Sequence, residues 1–507
     1  MSVVKKLINN MRIPSALMSR LNDTGGIIGV RMKTTTTTSS TIYALSSGQG
    51  KSGVAVVRIS GSNASLALKK MTNLTEPVAR KTFLKKIYDP ETKEVIDKGL
   101  CIWFPGPKSF TGEDSVEFQV HGGPAILEAL MLALSKLKFH PALPGEFTKR
   151  SFYNGKLDLT EIEGLADLIN AETEQQRRQA LLQADGNLSK LYKNWRTILL
   201  RSLANIEAYI DFSEDDNIED NVLHDCNEKI KQLVDDLSRH LADGRRGEIL
   251  RNGVRTVIIG KPNVGKSSLL NYLVQRNAAI VTDIAGTTRD IVELNTNIAG
   301  YPVILADTAG LTESTSDIVE IEGIRRAKEY AKTADFIIIM IDGSTFSSSQ
   351  KSFDNFVKDY INELGMESLI LQNGKLSSNC VCVVNKIDLI DEKLIDDLVN
   401  CQAVPISCTK EDGLSKLMTV LKNHFENICG NPSRENPTIS QARHRIHLLN
   451  CVDYLSNYLE MSSKEEYDMV IAAQNIRNGM REIGKITGHV NTEEILDVIF
   501  TNFCIGK

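Results

Sequence analysis

The stretch GKPNVGKS, from Gly260 to Ser267, constrains this chain more than any other part of its sequence. It follows the apolar run VRTVIIG and precedes a segment with helical spacing, which is the setting of a phosphate-binding loop. The glycines allow backbone amides to surround a phosphate, while Lys266 supplies a positive charge and Ser267 a hydroxyl for Mg²⁺. The sequence therefore predicts a nucleotide site, and its predicted contacts in this stretch are Asn263, Val264, Gly265, Lys266, Ser267 and Ser268.

Three further motifs follow in order, each close to the end of an apolar run. In DTAG we expect Asp307 to act on the metal shell and the backbone of Gly310 to sense the γ-phosphate. In NKID the carboxylate of Asp388 is placed to accept both N1–H and N2–H of guanine, which selects GTP over ATP. The motif SCT offers backbone amides to the guanine O6. The predicted contacts are Asp307, Thr308, Ala309, Gly310, Asn385, Lys386, Asp388, Ser407, Cys408 and Thr409.

Between the first two motifs lies TDIAGTTRD, which we interpret as the switch loop. Thr288 is placed to complete the Mg²⁺ shell with Ser267 once GTP is bound. Ras-like enzymes orient the attacking water with a glutamine directly after DxxG, whereas this chain has Leu311, which makes no hydrogen bonds through its side chain. Water positioning and transition-state charge must therefore come from other groups. The predicted contacts of this loop are Thr282, Asp283, Ile284, Ala285, Gly286, Thr287 and Thr288.

The distribution of apolar residues divides the chain into zones that predict a multidomain fold. Strand-like and helix-like segments mix up to about Asn154, which indicates an α+β domain. Helical spacing then dominates, and we predict a long amphipathic helix with few breaks from about Leu157 through Ile210. Near Gly253 short apolar strands begin to alternate with helices, which is typical of a doubly wound parallel sheet. Helical spacing returns after about Glu435 and continues to the end.

The economical interpretation is an all-α domain split by an inserted α/β domain with a P-loop. Insertions succeed where the two ends of a domain lie close together. Within the insert, the polar stretch from Gly343 and the segment up to Asn379 predict an extra loop and helix. The predicted boundaries are 1–40 for a leader, 41–156 for the α+β domain, 157–250 for the first helical part, 251–430 for the inserted domain and 431–507 for the second helical part.

The first forty residues differ in composition from the rest. They contain Lys and Arg residues but a single acid, Asp23, and end in a run of Thr and Ser. Such a composition is typical of mitochondrial presequences, and the alternative is an extension without a targeting role. The chain as a whole carries a net charge of -5, so any nucleic-acid contact requires a local basic patch. No apolar run reaches the length of a membrane span, and we expect no stable membrane insertion.

Together, GKPNVGKSSLLN, DIAGTTRD, DTAG, NKID, the split helical zone and the terminal FCIGK resemble the tRNA-modification GTPase family MnmE, also called TrmE, with its mitochondrial homologues. The resemblance covers about residues 41–507. It implies that K⁺ beside the nucleotide replaces an arginine finger, held by Asn263, Thr282, Ile284 and Thr287. It also implies a water-orienting glutamate, Glu320, with Glu322 as its rival because of a difference in spacing. Lys266, Thr288 and Glu320 are then the expected catalytic residues.

The resemblance further implies that the α+β domain is similar to tetrahydrofolate-binding domains. The expected ligand is 5-formyl-tetrahydrofolate or a related one-carbon folate, bound by Arg58, Glu117, Lys156 and the final Lys507. Which charge meets which end of the ligand is open. Cys504 is open as well, as either a nucleophile or a buried small residue.

For the whole chain, the resemblance implies a homodimeric GTPase of the mitochondrial matrix. With a flavin-dependent partner resembling MnmG, it would add an aminomethyl-type group, carboxymethylaminomethyl or taurinomethyl, to C5 of the wobble uridine in tRNA. The amine donor, the tRNAs served and the tRNA docking surface stay open. A rival interpretation is a regulatory or ribosome-assembly GTPase resembling Era or Der. A weaker one is a folate-dependent aminomethyltransferase controlled by a GTPase.

Overall fold

The structure is a computed structural model of the 507-residue chain. It describes residues 40–212, 221–276, 293–306, 328–349, 351–372, 375–490, 496, 499–501, 503 and 505–506. Within this part of the chain the polypeptide forms two six-stranded sheets and a set of long helices. No described helix combines the length and the hydropathy that are needed to cross a bilayer.

The first sheet is mostly antiparallel, with the order β3-β4-β5-β2-β1-β6. Only β1 and β6 pair in parallel. Alternation along β2 and β5 places Val57, Ile59 and Phe118 on the face that the two helices α1 and α2 cover. The elements are β1 Ile42–Leu45, β2 Ser52–Ser60, α1 Ala64–Thr72, β3 Thr82–Tyr88, β4 Val95–Phe104, β5 Ser115–Gly122, α2 Pro124–Lys136, β6 His140–Pro141 and α3 Glu146–Tyr153.

The prediction of one long helix from Leu157 to Ile210 is wrong, because this segment forms three helices. They are α4 Leu159–Asn170, α5 Glu174–Ala184 and α6 Asn187–Phe212. The Thr173 hydroxyl accepts a hydrogen bond from the backbone amide of Gln176, and the Gln176 side chain accepts one from the backbone amide of Thr173. This capping box starts α5. This reciprocal pairing satisfies amides that a continuous helix would satisfy internally. The break therefore has a local cause.

Helices before and after the second sheet share one core. It includes Leu199 of α6, Ile230 of α7, Leu448 of α15 and Ile476 of α16. Arg445 of α15 donates to Glu248 at 2.6 Å, so the chain entering the second sheet lies beside the chain leaving it. The remaining helical elements are α7 Asn221–Leu241, α8 Arg246–Asn252, α15 Ala442–Ser462 and α16 Met469–Thr487.

The second sheet has the order β14-β13-β10-β7-β9-β8 and is parallel except for β8, which is antiparallel to β9. The predicted apolar strands are confirmed as β7, β9, β10, β13 and β14. Residues of β10 are buried on both faces, as expected when helices cover a parallel sheet on both sides. The bounds are β7 Val254–Ile259, α9 Lys266–Arg276, β8 Glu293–Ile298, β9 Tyr301–Ala306, β10 Phe336–Asp342, β13 Cys380–Asn385, α13 Glu392–Asn400, β14 Val404–Pro405 and α14 Leu414–Cys429.

The segment predicted as an extra loop and helix is largely structured. The polar stretch starts with a short helix rather than a loop, because Asp342 caps it by accepting the Ser344 amide. The following helix, α11, buries Val357 and Ile361 against the sheet, so it is a layer of the fold and not an addition to it. The elements are α10 Gly343–Ser347, α11 Phe353–Leu364, α12 Glu367–Ile370, β11 Leu371–Gln372 and β12 Lys375–Leu376.

Candidate functional site

The loop between β7 and α9 encloses the amino group of Lys266. Its Nζ donates to the carbonyl oxygens of Gly260 at 2.9 Å and Lys261 at 2.8 Å. Gly265 has a φ of 102°, and a Cβ at this position would lie 2.3 Å from Nδ2 of Asn385. Only glycine fits such a conformation at such a distance. The loop therefore takes the compact shape that the sequence predicts for a phosphate-binding loop.

The loop also presents exposed polar side chains at the start of α9. Ser267 and Ser268 lie exposed in the first turn of this helix, and Asn263 is exposed with a φ of 59°. Hydroxyl and amide oxygens of this kind suit hard cations. The residues that are present therefore fit a Mg²⁺ ion, to which Ser267 would contribute its hydroxyl.

Asn385, at the end of β13, connects two parts of the site. Its Nδ2 donates to the Val264 carbonyl at 2.8 Å, and its Oδ1 accepts from the Cys408 amide at 3.1 Å. The side chain is almost fully buried, with 4% of its surface exposed. Asn385 thus holds the phosphate loop against the loop that follows β14, and its contact with the nucleotide stays a prediction.

The predicted base-binding residues come together beside Asn385. The Ser407 hydroxyl donates to Oδ1 of Asp388 at 2.6 Å, and the Lys410 amide donates to the Ser407 hydroxyl at 3.2 Å. The hydrogen bond from Ser407 is the main cause that lowers the pKa of Asp388 below its ordinary value. A carboxylate that is ionised and oriented in this way can accept two N–H groups of guanine.

Two of the three backbone amides of the SCT motif have hydrogen-bond partners within the protein. The Ser407 amide donates to the Asp412 carbonyl at 2.9 Å, and the Cys408 amide donates to Asn385. Of the three SCT amides, only the Thr409 amide has no hydrogen-bond partner among the described residues. The contact of these amides with guanine O6 stays a prediction.

Lys386, the second residue of the NKID motif, forms an ion pair with the neighbouring strand. Its Nζ pairs with Oδ2 of Asp342 at 2.6 Å, which joins the ends of β13 and β10. Burial raises the pKa of Asp342, but the hydrogen bonds from Lys386 and Ser344 outweigh it and leave that pKa below its ordinary value. The ion pair therefore fixes the end of β13, which carries the NKID motif, against the end of the neighbouring strand β10.

Several predicted site residues lie outside the described residues. They are Thr282, Asp283, Ile284, Ala285, Gly286, Thr287, Thr288, Asp307, Thr308, Ala309, Gly310, Glu320, Glu322, Cys504 and Lys507. Of the four predicted K⁺ positions, only Asn263 is therefore described.

In the first sheet, Arg58 and Glu117 are cross-strand neighbours on β2 and β5. Nε of Arg58 donates to Oε1 of Glu117 at 3.0 Å. The guanidinium also lies over the ring of Phe110 at 5.2 Å, on the sheet face opposite the one that α1 and α2 cover. Phe110 belongs to the loop between β4 and β5. Lys156 contacts the same loop, because its Nζ donates to the Pro107 carbonyl at 3.1 Å. Arg58 and Lys156 thus both contact one loop, 105–114, and Glu117 is paired with Arg58 beside it.

The sequence analysis missed a buried polar network that supports this loop. Glu113 accepts from the Ser60 hydroxyl at 2.9 Å and from Nη1 of Arg150 at 3.0 Å. The hydroxyls of Ser60 and Thr111 are 2.7 Å apart and both buried. Its signal in the sequence was the pair of serines Ser60 and Ser115, which have the same strand parity as Arg58 and Glu117 and so share their face of the sheet. The network gives the loop a fixed geometry beside Arg58.

The carboxyl-terminal segment returns to the first sheet. Phe500 and Phe503 are buried in a cluster with Leu159. The Gly506 carbonyl accepts from the Ser46 hydroxyl at 2.9 Å, and a Cβ on Gly506 would lie 2.1 Å from the Leu45 carbonyl oxygen. The residue before Lys507 is therefore tied down next to β1, as an ordered chain end requires.

Comparisons with known proteins agree with this organisation. A family model described as "MnmE helical domain" matches residues 159–504, and one described as "GTP-binding protein TrmE N-terminus" matches residues 41–156. The chain is 48% identical over 476 residues to the mitochondrial 5-taurinomethyluridine-[tRNA] synthase subunit GTPB3 of Danio rerio, covering 92% of this chain and 93% of the relative. The Homo sapiens protein of the same name is 44% identical with the same coverage. The tRNA modification GTPase MnmE of Rickettsia akari is 45% identical, covering 92% of this chain and 100% of the relative.

Proposed function

The chain belongs to the MnmE family of GTP hydrolases, and we propose that it modifies the wobble uridine of mitochondrial tRNAs. With a flavin-dependent MnmG-like partner, it installs a carboxymethylaminomethyl or taurinomethyl group at C5. The observation that carries this proposal is similarity along 92% of the chain to relatives named for tRNA modification. The compact phosphate loop and the oriented Asp388 support it, because both halves of a guanine-nucleotide site are present.

At the nucleotide site, Asp388 accepts the N–H groups of guanine and Lys266 binds the β- and γ-phosphates. Mg²⁺ is held by Ser267 and Thr288, and K⁺ by Asn263, Thr282, Ile284 and Thr287. When bound, the two cations supply positive charge to phosphate oxygens that gain negative charge during hydrolysis. Glu320 orients the attacking water in place of the glutamine that Leu311 replaces, and Glu322 is the alternative.

At the amino-terminal site, a one-carbon folate such as 5-formyl-tetrahydrofolate lies among Arg58, Glu117, Lys156 and Lys507. The contact between Gly506 and Ser46 supports a place for Lys507 near this sheet. Since Arg58 already pairs with Glu117, we expect a ligand to engage the two as a unit, with Glu117 accepting pterin N–H groups. The folate supplies a one-carbon unit when bound.

The remaining parts of the proposal concern the whole chain. We propose a homodimer in the mitochondrial matrix, with residues 1–40 as presequence and the domain boundaries at 41–156, 157–250, 251–430 and 431–507. The shared core of helices from both sides of the second sheet supports an inserted G domain. The Era- or Der-like alternative is disfavoured by the match of residues 41–156 to the TrmE amino terminus.

The experiment is mass spectrometry of wobble uridines in mitochondrial tRNA from cells that lack this chain. We expect wobble uridines without the C5 group, and recovery when the chain is restored. Fully modified uridines in the deletion strain would remove the proposed function.

A further inference from the structure

The side chain of Tyr360, on α11, contacts the beginning of the phosphate loop and the strand β10. Its hydroxyl accepts from the Lys261 amide at 2.7 Å and donates to the carbonyl oxygen of Met340, on β10, at 2.9 Å. The side chain is buried, with 4% of its surface exposed. One hydroxyl therefore joins the beginning of the phosphate loop to the central strand of the sheet.

The peptide that Tyr360 holds is the one that holds Lys266. Nζ of Lys266 donates to the carbonyls of Gly260 and Lys261, at 2.9 Å and 2.8 Å. The Lys261 amide belongs to the peptide group between these two residues, whose oxygen is the Gly260 carbonyl. A hydrogen bond at this amide therefore orients one of the two acceptors of the lysine ammonium.

The surroundings leave little freedom for another arrangement. A Cβ at Gly260 would lie 2.4 Å from the Met340 carbonyl oxygen and 3.2 Å from the Tyr360 hydroxyl, so loop and strand are in close contact. Burial raises the pKa of Tyr360 to about 12, which keeps the hydroxyl protonated and able to donate and accept at once. Without the hydroxyl, the Lys261 amide and the Met340 carbonyl would each lose a partner in a buried setting.

Lys261 makes a second contact with α11 that is different in kind. Its side chain lies over the Tyr360 ring, with Nζ 5.2 Å from the centroid, and pairs with Glu363. Both charged side chains of this ion pair are substantially exposed. Exposed pairs contribute little, so we assign the fixing of the loop to the buried hydroxyl.

We propose that Tyr360 is a positioning residue for GTP hydrolysis, which orients the Gly260–Lys261 peptide and through it the ammonium group of Lys266. The inference rests on the proposed function, in which Lys266 binds the β- and γ-phosphates. Charge on these phosphates shifts in the transition state, so a displaced ammonium group costs more in turnover than in substrate binding.

The first test is steady-state GTP hydrolysis by the full chain carrying Tyr360→Phe, with rates normalised to bound nucleotide. We expect kcat to fall about tenfold, while KM for GTP changes less than about threefold. Two variants serve as controls. Tyr458→Phe removes the hydrogen bond that another buried tyrosine donates, to Oδ1 of Asn227 at 2.5 Å in the helical core. Glu363→Gln removes the exposed ion pair with Lys261. Both should keep kcat within about twofold of the natural chain.

A purely structural role would lower the melting temperature of Tyr360→Phe but leave its normalised kcat unchanged, and this result would overturn the proposal. A second measurement tests the route through Lys266. We expect Tyr360→Phe to lower the single-turnover rate of GTP hydrolysis about tenfold in the otherwise natural chain, and not at all beyond Lys266→Ala in the double variant. Additive losses would contradict a route through the lysine.

Different results would overturn the role of Tyr360 and the proposed function. If the natural chain binds and hydrolyses GTP and the Tyr360→Phe variant has the same normalised kcat, the inference about Tyr360 is overturned and the proposed function is not. A natural chain without GTP turnover, under conditions that restore hydrolysis in a relative, overturns the proposed function and the inference with it.

Discussion

At the scale of single residues, we expect the identity of the bound base to depend on Asp388. Its carboxylate is oriented by Ser407 and stays ionised, so it can accept two charge-assisted hydrogen bonds. We expect Asp388→Asn to weaken GTP binding by about 3 kcal/mol, roughly 100-fold, because an amide presents a donor to the N–H groups of guanine. Competition of GTP and ATP against fluorescent GDP measures the change.

The matched control is Asp391→Asn, three residues farther along the same loop. Its side chain makes no capping hydrogen bond to the helix that follows, so the same change of charge should leave GTP affinity nearly intact. Equal losses in both variants would show that net charge matters and base recognition by Asp388 does not.

The second residue-scale prediction concerns the monovalent cation. The chain has Leu311 where a glutamine orients water in Ras-like enzymes, and Asn263 of the phosphate loop is exposed. If K⁺ supplies the missing positive charge, hydrolysis should be at least about tenfold faster in KCl than in NaCl at equal ionic strength. Asn263→Ala should remove most of this difference. Equal rates in the two salts would contradict the role of K⁺.

The third prediction concerns acid stability and His240. This imidazole lies between the rings of Trp195, at 5.4 Å, and Tyr192, at 6.1 Å. Burial lowers the pKa of His240 to about 4, with nearby His444 and Arg445 acting in the same direction and Asp243 against them. Between about pH 6.5 and pH 4 the unfolded chain therefore binds a proton here that the folded chain does not bind.

The sign follows directly, because uptake of a proton by the unfolded chain alone lowers the free energy of unfolding as the pH falls. We expect His240→Phe to remove about 2 kcal/mol of the loss of stability between pH 7 and pH 5. Urea titrations at both pH values measure it, with His224→Phe at an exposed position as control. An unchanged pH dependence would show that His240 is not buried in this way.

At the scale of elements, the sequence predicted the strands that carry nucleotide motifs, because long apolar runs followed by polar residues have few other solutions. It did not predict β8, whose sequence ELNTNI contains few apolar residues. The capping box of Thr173 and Gln176 was present in the sequence, but the helical spacing around it concealed the break. The helix predicted in the segment up to Asn379 is present as α11, whose Val357, Ile361 and Leu364 are buried at helical spacing.

The site was predicted less completely than the strands, for a physical reason. Motif patterns describe residues that are near in sequence, whereas Asn385 contacts Val264, which is 121 residues away. The pairing of Arg58 with Glu117 likewise depends on the register of β2 and β5. Tyr360 belongs to no nucleotide motif, and only the fold reveals that it touches the phosphate loop.

The element-scale prediction concerns the carboxyl-terminal segment. Gly506 lies so close to the Leu45 carbonyl that any side chain must displace the segment from β1. We expect both Gly506→Ala and deletion of Lys507 to weaken binding of 5-formyl-tetrahydrofolate about tenfold or more, through loss of one charge-assisted contact, and to leave GTP affinity unchanged. Isothermal titration with each ligand measures both.

The control is Ile505→Ala, which removes an exposed side chain from the same segment. It should bind folate as the natural chain does. If folate binding is also unaltered in the Lys507 deletion, the terminal lysine has no part in the folate site.

At the scale of the whole molecule, we propose two sites on one chain. The nucleotide site lies at the ends of strands in the second sheet, and the polar pair Arg58 and Glu117 lies on the first. Helices from both sides of the second sheet form one core, so the nucleotide-binding part has two covalent connections to the helical part.

The account's central claim is that GTP turnover at the second sheet is required for tRNA modification. The most direct measurement compares cells in which the only copy of this chain is natural or carries Lys266→Ala, at equal protein levels. Mass spectrometry gives the fraction of mitochondrial wobble uridines that carry the C5 group. We predict near-complete modification with the natural chain and as little with Lys266→Ala as with no chain. Full modification with Lys266→Ala would contradict the claim.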